Sequence, residues 1–153
     1  MTTKKFFRSA LLFLIVWILT GCGASQTEAN IPEDAALIIT GRVDSGMGWT
    51  EDELKSLGLI EVEYTNKDGT KTVYSGVPLA NLLEICGIHQ DAKSLVFMVH
   101  DGSSTKVPLA DLNACEECIV TLQNEFKVPG LTILLPPVEG KTKLVGIYQI
   151  SVE

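Results

Sequence analysis

The chain has 153 residues, 46% of them apolar and 20% charged, with a mean hydropathy of +0.25. That length suits one domain, and that apolar fraction excludes a disordered chain. A formal charge of −7 and a pI near 4.8 repel a phosphate backbone, so nucleic acid is not an expected partner.

Met1 to Arg8 carries Lys4, Lys5 and Arg8 and no acid, and Ala10 to Leu19 is an unbroken apolar run. A basic start, a short apolar run and small residues make an export signal. The run rises only ~15 Å as a helix, against about 30 Å of bilayer core. Leu19-Thr20-Gly21-Cys22 resembles the lipobox of bacterial lipoproteins, whose Cys is acylated and becomes the mature N-terminus. The plain alternative is an ordinary cleaved signal with a coincidental Cys. Two or three acyl chains anchor stably where one is marginal. The expectation is a signal peptide over 1–21, lipidation at Cys22, and a protein on the extracytoplasmic face of a cell or outer membrane. Removing three of the twelve basic residues leaves nine against nineteen acids, a net −10, with Arg42 as the sole arginine.

Residues 22–34 are small, polar and aperiodic, and read as a flexible tether to a domain over 35–153. Ala35 to Val43 reads as a first strand, and Ser45-Gly46-Met47-Gly48 as a Gly-rich turn. Thr50-Glu51-Asp52-Glu53 has capping-box form, predicting a short helix that ends near Gly58. Ile60, Val62 and Tyr64 alternate with acids as a half-exposed strand, and Asn66 to Gly69 turns it into a partner strand over Thr70 to Tyr74. Pro78 opens a helix whose Leu79, Leu82, Leu83 and Cys86 form one apolar stripe, stopped by Gly87. Ser94 to His100 and Ser103 to Val107 read as a strand pair around an Asp101-Gly102 turn. Pro108 to Leu112 starts another helix, with Cys115 and Cys118 near its end. Ile119 to Leu122, Leu131 to Leu135 and Leu144 to Val152 are strand-like, and Pro136-Pro137 and Gly140 break them. The expected fold class is α+β, mostly a mixed β-sheet with two or three short helices.

Tyr74-Ser75-Gly76-Val77-Pro78-Leu79, followed by Leu82-Leu83 and Gly87, resembles a signature of the sulfite-oxidase-like, oxidoreductase molybdopterin-binding domain. Gly41-Arg42-Val43, Glu53-Leu54, Asp101-Gly102 and the closing run Val145 to Val152 follow that family's order. The resemblance spans most of Leu37 to Val152. It implies the family's fold, with Gly76 permitting a turn. In its catalytic members one Cys thiolate ahead of the Gly-Val-x-Leu segment holds molybdenum, and several arginines hold the pterin phosphate. Here Ile60 to Ser75 contains no Cys, the corresponding region falls around Tyr64, and Arg42 alone supplies a guanidinium.

Cys115-Glu116-Glu117-Cys118 is a C-x-x-C in an exported chain. On a helix, i and i+3 lie ~5–6 Å apart at Cβ, within reach of a disulfide. The intervening acids disfavour a thiolate, so a structural bond is expected ahead of a redox pair. Cys86 on the apolar stripe reads as a small buried hydrophobe, and His89 as exposed. His100 beside Asp101 is a functional candidate or a turn residue. Trp49, after a Gly-rich stretch, is either an exposed loop anchor or packed under its loop. Trp49, His100 and Arg42 are the candidate ligand- or partner-binding residues. No catalytic residue and no metal ligand is expected.

These readings make the chain a lipid-anchored domain related to molybdopterin oxidoreductases, without a cofactor, that binds a small molecule or a protein. The alternatives are a molybdopterin-dependent oxidoreductase component and a thiol-redox lipoprotein using Cys115 and Cys118.

Overall fold

A computed structural model describes residues 30–66, 68–112, 115–123, 127–138 and 141–153. The expected signal segment 1–21, Cys22 and residues 23–29 lie outside the described residues.

Strand β1 (Leu37–Gly41) is followed by β2 (Met47–Trp49) and helix α1 (Glu51–Ser56). Then come β3 (Ile60–Thr65), β4 (Lys71–Pro78) and α2 (Leu79–Cys86). Strands β5 (Ser94–Val99) and β6 (Ser104–Pro108) lead into α3 (Leu109–Leu112), and β7 (Ile119–Thr121), β8 (Leu131–Val138) and β9 (Lys141–Val152) complete the chain. The result is a mixed sheet, curled into a half-barrel, with short helices. One path through it runs β2-β1-β9-β8-β7-β4-β3, and β5 pairs with both β9 and β6. β9 joins these parts, running parallel to β1 and antiparallel to β5 and β8.

Local chemistry accounts for the elements. α1 starts on the expected capping box, with Thr50 Oγ1 accepting from Glu53 N–H and the Glu53 carboxylate accepting from Thr50 N–H at 2.8 Å. The alternation in β3 buries Val62 and leaves Glu61 and Glu63 in water. In α2 all four stripe residues are buried, and Gly87 adopts the left-handed conformation at φ 68°. The exposed loop after β1 covers that helix end: Ser45 N–H donates to Cys86 O and Asp44 N–H to Gly87 O.

Three features differ from the sequence reading. Met47–Trp49, read largely as a turn, is a strand antiparallel to β1, with Leu37 opposite Trp49. Pro136-Pro137 lie within β8; they fall in a register shift between Leu134 and Val138, where a residue without N–H breaks no rung. Gly76 sits in the regular run of β4 and not in a turn. A Cβ there would come within 2.5 Å of the Val120 carbonyl oxygen on β7, so its role is close strand approach. At the other edge, residues 30–32 of the expected tether lie against β2, where Gly48 N–H donates to Asn30 O at 3.0 Å.

Two apolar clusters follow from the curl. The larger fills the side of the sheet that faces the helices, with Leu37, Leu82, Phe97, Ile147 and Ile150 at 0% exposure. The smaller comprises Val62, Tyr74, Ile119 and Leu134, with Tyr64 packed against it.

Candidate functional site

Helices α2 and α3 lie far apart in sequence, and the sheet brings them together. Pairing of β4 with β7 sets Pro78 opposite Ile119, so α2 begins beside the turn that carries Cys115 and Cys118. Leu79 N–H, an orphan donor of the first helical turn, donates to Cys118 O at 2.8 Å. From the other end, Cys115 N–H donates to Leu112 O, tying the turn to α3.

Between these elements is a groove of about 500 Å³. Its apolar surface comes from Leu79, Leu83 and Ile88 on one side and Leu109 and Leu112 on the other. Glu84 and Glu116 also line it, and no lining residue is basic. Sequence reasoning identified both helices and missed the groove. Its one local signal is that the apolar series Leu79, Leu83 continues past Gly87 to Ile88.

Cys115 and Cys118 are joined by a disulfide, with Cα atoms 5.4 Å apart. The expected helical spacing does not apply, because α3 ends at Leu112 and the pair spans a turn. Cys118 is buried and Cys115 half-buried. Cys86 is a free, buried thiol at the C-terminal end of the α2 stripe, and desolvation pushes it up to about 11.

The three candidate binding residues sit in separate settings. Trp49 is not an exposed loop anchor: it is 5% exposed, on β2, in the larger core. Arg42 is exposed and ion-paired with Asp91. His100 stands in the turn after β5, its exposed ring 4.6 Å from that of Tyr148. Asp101 serves that turn, accepting from Ser103, an interaction that holds its carboxyl below the usual range. His89 Nε2 lies 3.3 Å from Asp44 on the loop that covers the end of α2.

Around Tyr64 the resemblance implies a metal. Tyr64 meets Tyr74 edge to face at 6.0 Å, and Lys143 Nζ lies 5.0 Å and 4.5 Å from the two ring centres. Lys143 also donates to the Tyr74 hydroxyl. Phenol rings and an ammonium do not fit a thiolate-held molybdenum. The described cysteines lie elsewhere, in the α2 core and in the disulfide. Among the described residues no three His, Cys, Asp or Glu side chains gather as a metal site. Arg42, the sole arginine among the described residues and the type suited to a pterin phosphate, is already paired with a carboxylate.

The fold defines the class: a sulfite-oxidase-like α+β fold. Among solved structures the chain is similar to the sulfane dehydrogenase SoxCD from Paracoccus pantotrophus, with a TM-score of 0.61 and 16% identity. That match covers 76% of this chain and 37% of the other, so this chain spans well under half of its structural relative. No protein-family model matches the sequence, and no curated protein matches it.

Proposed function

We propose that the protein is a lipid-anchored, extracytoplasmic binding domain that uses the sulfite-oxidase-like fold without its cofactor or its oxidoreductase chemistry. The observation that supports this reading is the Tyr64, Tyr74 and Lys143 cluster, in the segment that the sequence resemblance makes the counterpart of the metal-thiolate region. The groove between α2 and α3 is the concave, largely apolar surface that takes a small molecule or a protein segment. The disulfide is structural in this account. The Cys118 carbonyl holds the start of α2, and Glu116 and Glu117 disfavour the thiolate that a redox cycle needs.

Anchoring rests on Leu19 to Cys22. Cys22 takes the acyl chains, and the net −10 of the mature chain keeps the domain away from anionic lipid. Cys22→Ser should free the protein from salt-washed membranes or block its maturation. Wild-type protein without an acyl label on Cys22 would remove the anchor. Protein from a host that makes molybdopterin should release no fluorescent pterin on oxidative denaturation, whereas one pterin per chain would restore the oxidoreductase reading.

A further inference from the structure

We infer that the groove between α2 and α3 receives a cationic amphipathic helix from a protein partner, with its apolar face on the leucines and its basic side chains toward Glu84 and Glu116. The inference rests on the reading of this domain as a binding module, and it names the partner's chemistry.

Shape comes first. Leu79 and Leu83 are one helical turn apart on α2, and Leu109 and Leu112 face them from α3. A trough between two short helices, floored by leucines at helical spacing, matches the apolar ridge of a third helix. Polar content is the second argument. Small-molecule sites carry convergent hydrogen-bonding side chains. The polar side chains lining this groove are the carboxylates of Glu84 and Glu116, both exposed. Two exposed acids at the margin of an apolar trough suit a partner whose basic side chains flank an apolar stripe.

Charge sets the sign. Glu84 lies in the last turn of α2, which contains no basic residue, so the helix dipole adds to its negative potential. Glu117 adjoins Glu116 in the disulfide turn. The mature chain at −10 steers a cationic partner inward and an anionic one away. The disulfide contributes rigidity. It closes the segment from Cys115 to Cys118, which lines one side of the trough, so less ordering opposes binding.

The test uses the purified full chain and labelled amphipathic peptides of roughly 14 residues, about four helical turns. Two peptides share one leucine face and differ in lysine or glutamate flanks. Fluorescence anisotropy should show saturable binding of the lysine peptide, weakened by salt, and at least about tenfold weaker binding of the glutamate peptide. Glu84→Lys with Glu116→Lys should invert the preference. Ala80→Arg, at an exposed groove position, should block both peptides while leaving the thermal midpoint unchanged. Equal binding of the two peptides, no binding of either, or binding that survives both variants would overturn the inference. The pterin assay on the same preparation separates the two readings. Pterin present defeats the binding-module reading itself, and pterin absent with no peptide bound defeats only the assignment of the partner.

Discussion

Leu82 and Leu83 are neighbours on one stripe with different surroundings. Leu82 is fully buried in the core, whereas Leu83 is 7% exposed and borders the groove. Leu82→Ala therefore leaves a closed cavity and should cost about 2–5 kcal/mol, and Leu83→Ala should cost less because its space joins the groove. Urea unfolding of the two variants checks this, and equal losses would show that the groove side is as tightly packed as the core. Cys86 supplies a pH signature. Its thiol is pushed up to about 11 from an ordinary 9.0. Between those values the folded chain keeps a proton that the unfolded chain has lost. The associated stability is whole below pH 9 and declines as pH rises through the folded value. Peptide mapping after iodoacetamide at pH 8 should find Cys86 unmodified in native protein and modified in denatured protein. Fast labelling of the native thiol would contradict its burial.

At the level of elements, the disulfide turn is the hinge of the account. The bond closes a loop of sequence separation 3, so its chain-entropy contribution is near the lower end, about 2 kcal/mol. The double variant Cys115→Ser, Cys118→Ser should lose roughly that in a urea titration and gain or lose no disulfide reductase activity. Rapid turnover of a disulfide substrate by the wild type would instead make the pair a redox centre. The elements with a local code were legible: the capping box of α1, the two-residue alternation of β3, and the leucine stripe of α2 ending at Gly87. What was illegible depends on distant chain. Met47–Trp49 becomes a strand because β1 pairs with it, and Trp49 is buried by that pairing and not by its own loop. Gly76 is needed for the approach of β7, some forty residues further on. The groove needs residues of both α2 and α3, and its one local mark is Ile88, which continues the apolar series of α2 past Gly87.

For the whole molecule, β9 decides the architecture. One strand bonds to β1, β5 and β8, so the first and last parts of the domain share one sheet and the chain end is integral to the fold. The sheet supports two faces. One is packed beneath the helices and yields the groove. The other holds the Tyr64 and Tyr74 rings with Lys143. The resemblance of Tyr74 to Gly87 made the fold readable, while the absence of Cys from Ile60 to Ser75 is the basis for proposing a different chemistry. The likeness to the sulfane dehydrogenase SoxCD extends to the fold, and 16% identity carries it no further.

On the proposed reading this fold works here without a molybdenum centre. The most direct test of that reading is the molybdenum-to-protein ratio, by plasma mass spectrometry, of full-length protein made in a host that assembles the cofactor. The account predicts only trace metal, unchanged by substitution of Cys86, Cys115 or Cys118. Near-stoichiometric molybdenum, lost when one of those cysteines is replaced, would contradict it.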